Sequence, residues 1–215
     1  MERTVGCSAT TREKIARICE RHRLIASKGL VTLMLIIVLV TSHSWRRDSF
    51  VHLAFETIGF FLIVICVFGR VWASMYIAGK KDEVLTTGGP YSMVRNPLYF
   101  FSFLGAVGFG LSSENLLALG LIIVMFVVGY VPVILSEERR LLDLFGEEYQ
   151  DYMNRKPRLF PKLSKLGEPV SIGIHTGPFL RVLFRSMWFM WFFMLLHIVE
   201  KLRDIGWIPV VLAIP

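Results

Sequence analysis

Long apolar runs are the feature that most constrains this chain. Five segments carry few or no charges: residues 29–41, 51–69, 98–111, 116–135 and 182–199. A helix that crosses a bilayer needs about 20 mostly apolar residues. Residues 116–135 meet this length alone, two runs nearly do, and the first and third need flanking residues or a tight hairpin. The sequence therefore predicts an all-α, polytopic membrane protein with about five membrane segments.

Charge and its distribution favour a membrane over nucleic acid as the partner. The chain is 54% hydrophobic and carries a net charge of +7, which on its own leaves both partners open. Nineteen of the 24 basic residues fall in three stretches, residues 1–28, 70–97 and 136–181. By the positive-inside rule these stretches lie in the cytoplasm. We therefore expect a multi-pass protein of the inner or plasma membrane with a cytoplasmic N-terminus, and no nucleic-acid partner.

The two ends of the chain leave alternatives open. Residues 10–13, Thr-Thr-Arg-Glu, form a capping-box pattern that could open a basic amphipathic helix on the bilayer surface. A solvated orientation signal explains the same segment equally well. A secretory signal is not expected, because the charged segment before the first apolar run is too long. At the other end, the run 182–199 either spans the membrane or is re-entrant.

Common cofactor and metal motifs are missing from the sequence. No G-x-G-x-x-G follows a strand, no phosphate-binding loop occurs, and the three cysteines show no C-x-x-C spacing. The five histidines have no metal-ligand spacing, so we interpret each as structural or interfacial. Gly105, Gly108 and Gly110 lie inside an apolar run, where small residues favour close helix packing. The sequence therefore predicts neither a Rossmann domain nor a metal site.

Two cytoplasmic segments are rich in residues that could carry chemistry. In residues 85–99, Gly88-Gly89-Pro90 predicts a turn, Asn96-Pro97 ends any helix that runs into it, and Arg95 lies where the chain re-enters the membrane. An arginine there is either a functional residue or an anchor to lipid phosphate.

In the second segment, residues 136–161, Glu137 and Glu138 lie at the membrane boundary and need a cationic partner. Their neighbours at near-helical spacing predict an amphipathic helix along the surface: Leu141, Phe145, Tyr149 and Tyr152. A solvated charge run explains much of this segment but not its extended end, Pro-Arg-Leu-Phe-Pro at 157–161.

These blocks together resemble the isoprenylcysteine carboxyl methyltransferase family, and part of the pattern is shared with membrane phospholipid methyltransferases. The resemblance covers residues 84–161, about a third of the chain. It implies a helical membrane enzyme that uses S-adenosyl-L-methionine in a pocket at the cytosolic face. By position, it assigns the cofactor to nine residues: Val84, Leu85, Thr86, Tyr91, Asn96, Pro97, Leu98, Tyr99 and Glu137. Arg95 and Glu138 take the catalytic positions.

The expected reaction is methylation of an anionic oxygen on a prenylated or lipidic acceptor. An ionised oxygen needs no general base, whereas an amine does, and only the two glutamates offer one. Asn96 stands where eukaryotic members usually have histidine, and residues 131–134 lack the arginine that contacts their substrate. The acceptor is therefore left open between prenylcysteine, phospholipid, lipid phosphate and isoprenoid acid. A phospholipid amine N-methyltransferase and a non-catalytic lipid-binding scaffold are the alternatives, and a transporter is a poorer one.

This interpretation divides the chain into four segments. Residues 1–28 form the basic cytoplasmic segment, and residues 29–83 hold two spans and the start of a loop. Residues 84–161 form the catalytic core with a membrane hairpin at 98–135, and residues 162–215 form a linker and an aromatic membrane segment. That last segment could cover a lateral opening for the acceptor. The sequence does not determine an oligomeric state.

Overall fold

The computed structural model describes residues 41–43, 50–78, 83–162, 176–207 and 212–214. Four α-helices make up most of this part: α1 (Phe50–Ile77), α2 (Pro97–Ser112), α3 (Leu116–Arg155) and α4 (Thr176–Asp204). A 3-10 helix, Gly89–Ser92, lies between α1 and α2. Strands β1 (Thr41–His43) and β2 (Leu212–Ile214) pair in parallel, with Thr41 opposite Leu212. The described part is thus helical apart from this one strand pair, which the sequence did not predict.

Within the described residues, three helices are long and apolar enough to cross a membrane. They are α1, α3 and, within α4, Phe179–Val199. α2 is apolar but has only 16 residues, or about 24 Å, so it is shorter than a bilayer core. These four helices correspond to four of the five predicted segments. The remaining predicted segment is the first in the chain, and its residues 29–40 lie outside the described residues. The surface helix predicted before it lies outside them as well.

α1 and α2 pack closely because glycines line their contact. A Cβ atom added to Gly108 would lie 2.7 Å from the carbonyl oxygen of Gly59, so only glycine permits this approach. Arg70 of α1 donates a hydrogen bond to the Ser102 hydroxyl of α2 and lies 5.7 Å from the centre of the Phe189 ring of α4. The expected packing role of the glycines in α2 is confirmed, and α4 lies against α1 and α2.

α2 and α3 form the predicted hairpin. Pro97 begins α2, where its missing N–H group costs nothing and its fixed φ suits the first helical turn. α2 ends at Ser112, and Asn115 caps α3 by accepting a hydrogen bond from the Ala118 amide at 2.9 Å. The hairpin therefore returns the chain to the membrane face on which α1 ends.

α3 differs from the prediction of a span that ends near residue 135 and a separate surface helix. The helix continues through Pro132 to Arg155, since a membrane helix tolerates a proline when its surroundings satisfy the freed backbone groups. The break in helical geometry comes instead at Gly146, with φ 53° and ψ −125°, a conformation that favours glycine. This kink redirects the last turns of α3, which carry Tyr149 and Tyr152.

Candidate active site

An open pocket lies where α1 ends, between the loop before α2, the first turn of α2 and the middle of α3. Its cavity volume is about 120 Å³, and the space reaches about 790 Å³ when the open mouth is included. All nine residues predicted to bind the cofactor line this pocket, as does Arg95. The remaining lining residues are Ile77, Arg140, Leu141, Phe145, Tyr149 and Tyr152.

The loop before α2 is folded so that Tyr91 reaches the pocket wall. Gly89 has φ +55°, and an added Cβ would overlap the Tyr76 ring, so the predicted turn requires glycine here. The Ser92 hydroxyl donates to the carbonyl of Gly89 at 2.6 Å, and the Tyr152 hydroxyl donates to the carbonyl of Tyr91 at 2.7 Å.

Burial raises the pKa of Tyr91 well above its ordinary value, with Tyr152, Glu137 and Tyr99 adding to the shift. The Tyr91 hydroxyl therefore stays protonated at neutral pH. It offers the pocket a neutral ring and a hydrogen-bond donor.

Glu137 is a pocket carboxylate held by an aromatic hydroxyl. Tyr99, in the first turn of α2, donates to Glu137 Oε2 at 2.6 Å. The Tyr99 ring packs edge-on against Tyr130, with centroids 5.7 Å apart. The carboxylate is half-buried and lines the pocket, where it can accept hydrogen bonds from a ligand.

Glu138 has a different environment from its neighbour. It is buried, it does not line the pocket, and both of its oxygens are engaged. Oε1 accepts from Asn96 Nδ2 at 2.9 Å, and Oε2 accepts from Arg158 Nε at 2.9 Å. Arg95 Nε lies 3.5 Å from Oε1, within ion-pair distance. The cationic partners expected for this carboxylate are therefore Arg158 and Arg95.

Residues 157–162, called the strap below, deliver Arg158 to this cluster. The Arg95 amide donates to the carbonyl of Pro157 at 2.9 Å, and the Lys162 amide donates to the carbonyl of Met93 at 3.1 Å. Asn96 Nδ2 also donates to the carbonyl of Arg158 at 3.1 Å. The extended segment predicted here is thus tied by its backbone to the loop that leads into α2.

Arg95 is a buried cation, and some of its hydrogen-bond donors have no acceptor in the described part of the chain. Its side chain is 9% exposed, and it lines the pocket. Within the described residues, its Nε and Nη1 atoms are buried and have no hydrogen-bond partner. Buried donors without acceptors are costly, so an anion in the pocket would stabilise this arrangement.

Sequence reasoning missed three features of the site. Arg140 lines the pocket and lies three residues after Glu137, so helical spacing could have placed both on one face. Arg158 belongs to the Pro-Arg-Leu-Phe-Pro segment at 157–161, but no pattern in the sequence assigned it a function. The residues expected on a surface helix form the pocket wall instead: Leu141, Phe145, Tyr149 and Tyr152.

A second polar cluster lies at the opposite end of the helices. His52 of α1 contacts Glu114 of the hairpin turn, and its Nε2 atom lies 3.8 Å from Glu56 Oε2. His197 Nε2 of α4 lies 3.3 Å from Glu56 Oε1. These contacts tie α4 and the hairpin to the start of α1, in line with the structural or interfacial role expected for His52 and His197. The described His, Cys, Asp and Glu residues form no group of three or more that could hold a metal ion.

Comparison with known proteins identifies the family. The family model described as phospholipid methyltransferase matches residues 31–148, just over half of the chain. The chain belongs to the phospholipid methyltransferase family. With three helices able to cross a bilayer, it is an integral membrane protein and, by family, a methyltransferase.

Three relatives place this family member more closely. It is 35% identical to the nickel-cobalt-cadmium resistance protein NccN of Alcaligenes xylosoxydans xylosoxydans over 91% of both chains. It is 32% identical to the cobalt-zinc-cadmium resistance protein CzcN of Cupriavidus metallidurans over 86% of this chain and 85% of the relative. Over 41% of this chain and 38% of the relative, it is 31% identical to protein-S-isoprenylcysteine O-methyltransferase of Schizosaccharomyces pombe. The resemblance to isoprenylcysteine methyltransferases is thereby confirmed.

Proposed function

We propose that this protein transfers the methyl group of S-adenosyl-L-methionine to an anionic oxygen on a lipidic acceptor. The observation that carries the proposal is Arg95, which lines the same pocket as the nine predicted cofactor residues and whose buried Nη1 has no hydrogen-bond partner among the described residues. The pocket thus combines a carboxylate, aromatic rings and an available cation. A methyl donor and an anionic acceptor need these groups side by side.

The pocket residues fit the chemistry of S-adenosyl-L-methionine. Glu137 can accept hydrogen bonds from ribose hydroxyls or an ammonium group, and Tyr91 and Tyr99 offer aromatic faces to a sulfonium cation. Leu85 and Leu98 supply apolar wall for a nucleobase. When bound, the cofactor would supply an electrophilic methyl group on sulfur.

The contacts of the two glutamates favour an oxyanion over an amine as the acceptor. An amine must lose a proton, but Glu138 has both oxygens engaged, and one oxygen of Glu137 accepts the Tyr99 hydroxyl. An ionised oxygen forms its bond to the methyl carbon as the sulfur–carbon bond breaks, and the electron pair stays on sulfur. Arg95 would hold that oxygen in line, so catalysis rests on proximity and orientation.

We propose that the pocket faces the cytoplasm. The loop before α2 and the second half of α3 belong to the stretches that, with the N-terminal segment, hold nineteen of the 24 basic residues. The His52–Glu56–Glu114 cluster would then lie at the opposite membrane face. This orientation gives the site access to cytoplasmic S-adenosyl-L-methionine.

The direct test is transfer of a radiolabelled methyl group by purified protein in nanodiscs. Four probes separate the acceptor classes: phosphatidic acid, N-acetyl-S-farnesylcysteine, farnesoic acid and phosphatidylethanolamine. We expect label in one of the first three and loss of that label in Arg95→Ala. Label that enters only phosphatidylethanolamine would overturn the choice of an oxyanion, and label in none of the four would favour the scaffold.

The names of the two long relatives suggest the cellular setting. Because similarity to proteins named for metal resistance extends over 86% or more of this chain, we propose that methyl transfer supports tolerance to divalent metals. A deletion strain should grow poorly on nickel, cobalt or cadmium and recover with the wild-type gene but not with Arg95→Ala. Full recovery with Arg95→Ala would separate metal tolerance from methyl transfer.

A further inference from the structure

Glu138 interacts with two arginines, but it forms a hydrogen bond with only one of them. Arg158 makes a hydrogen bond to Oε2 at 2.9 Å, whereas Arg95 Nε lies 3.5 Å from Oε1 and makes no hydrogen bond to it. Asn96 occupies Oε1 at 2.9 Å. The carboxylate is therefore turned toward the strap and Asn96, and it offers Arg95 only a loose ion pair.

This unequal sharing keeps Arg95 available to a ligand. A carboxylate and a guanidinium readily form a bidentate pair with two parallel hydrogen bonds. If Glu138 paired with Arg95 in that way, the donors of Arg95 would be consumed. In the structure the buried Nη1 has no hydrogen-bond partner among the described residues, so its donors remain for an anion that reaches Arg95 from the pocket.

Arg158 can hold Glu138 turned toward the strap, and its side chain contributes little to the stability of the fold. Its side chain is 48% exposed, so its removal leaves no core cavity. The strap is also held by backbone hydrogen bonds to Arg95 and Met93, which do not involve the side chain at position 158. Loss of Arg158 would leave Glu138 Oε2 buried with one partner fewer, and Arg95 is the other described cation within ion-pair distance of this carboxylate.

We propose that Arg158 is a positioning residue that holds Glu138 away from Arg95, so that Arg95 can bind the oxyanion of the acceptor. The inference rests on the proposed function, because it assumes an anionic acceptor beside the cofactor. It also gives Glu138 a positioning role in place of the catalytic one expected from the resemblance. Neither Arg158 nor Glu138 needs to touch the reacting atoms.

The test measures binding of an anionic probe separately from binding of the cofactor product. Protein in phosphatidylcholine nanodiscs is titrated by calorimetry with S-adenosylhomocysteine and then, loaded with it, with dodecyl phosphate; empty nanodiscs correct for partitioning. Arg158→Ala should keep its affinity for S-adenosylhomocysteine. It should lose about tenfold in affinity for dodecyl phosphate, the equivalent of one charge-assisted hydrogen bond.

A second substitution distinguishes positioning from simple damage. Adding Glu138→Gln to Arg158→Ala removes the charge that would capture Arg95, so the double variant should recover most of the affinity for dodecyl phosphate. Arg155→Ala is the matched control: this arginine is 71% exposed, pairs with Asp151 at 3.3 Å and should have no effect on either ligand.

Three results would overturn the inference. They are an unchanged dodecyl phosphate affinity in Arg158→Ala, a parallel loss of affinity for both ligands, and a double variant as weak as the single one. If the wild-type protein binds no S-adenosylhomocysteine, the proposed function itself fails, and the inference fails with it. If every variant binds S-adenosylhomocysteine normally, the first or the third of these results contradicts only the positioning role of Arg158 and leaves the proposed function standing.

Discussion

The Tyr99 hydroxyl donates a hydrogen bond to Glu137 Oε2 across 2.6 Å, and so joins the first turn of α2 to the middle of α3. The two residues are 38 positions apart in the chain and belong to the two arms of the hairpin. Both line the candidate pocket. The geometry of the predicted cofactor carboxylate therefore depends on the hairpin being correctly closed.

Removing the Tyr99 hydroxyl should weaken cofactor binding while the fold persists. Tyr99→Phe keeps the ring but takes a donor from a carboxylate, a loss of about 1.5–3 kcal/mol when the acceptor is charged. We expect calorimetry to show roughly tenfold weaker binding of S-adenosylhomocysteine. Tyr130→Phe, which removes the hydroxyl from the neighbouring ring instead, is the control and should bind normally. Equal affinity in Tyr99→Phe and the wild type would show that this contact does not orient Glu137.

The kink at Gly146 should be intolerant of a side chain. Its φ of +53° with ψ −125° is strained for any other residue, at a cost of about 1–3 kcal/mol. Gly146→Ala should therefore lower the unfolding temperature in detergent. Gly129→Ala is the matched control, since Gly129 lies within α3 with open space around its Cβ position, and it should stabilise the helix by up to ~1 kcal/mol. A higher unfolding temperature for Gly146→Ala would contradict the kinked geometry.

The cluster at the opposite membrane face should affect stability alone. His197 pairs with Glu56 at 3.3 Å, and both side chains are about one-third exposed, so the contact contributes only ~0.2–1 kcal/mol. His197→Ala should lower the unfolding temperature slightly and leave binding of S-adenosylhomocysteine unchanged. Lys201→Ala, one turn further along α4, serves as the reference substitution. A loss of affinity in His197→Ala would mean that the two ends of the helices are coupled.

The helices and the set of pocket residues were largely predictable from the sequence. Apolar runs located α1 to α4, because helix length and polarity are local properties that a bilayer constrains strongly. The ordered blocks around Asn96-Pro97 and Glu137 named residues that the fold brings around one pocket. Their roles in binding stay predictions.

Other features could not be predicted, because they depend on tertiary contacts. Nothing local indicates that α3 continues through Pro132 and breaks at Gly146, since helix propensity permits either outcome. Arg158 and Glu138 are 20 positions apart, and their hydrogen bond depends on where the backbone bonds of the strap place them. The strands at residues 41–43 and 212–214 pair across most of the chain, and three residues are too few for a recognisable pattern.

Titration with S-adenosylhomocysteine, of the purified wild-type protein beside Glu137→Ala and Arg95→Ala, measures directly whether the pocket binds the cofactor. We expect micromolar binding by the wild type, no binding by Glu137→Ala, and normal binding but no methyl transfer by Arg95→Ala. No heat from the wild type at about 100 µM ligand would contradict the cofactor pocket, because a functional site should be well occupied at that concentration. Full binding and full activity in both variants would contradict the assignment of these two residues.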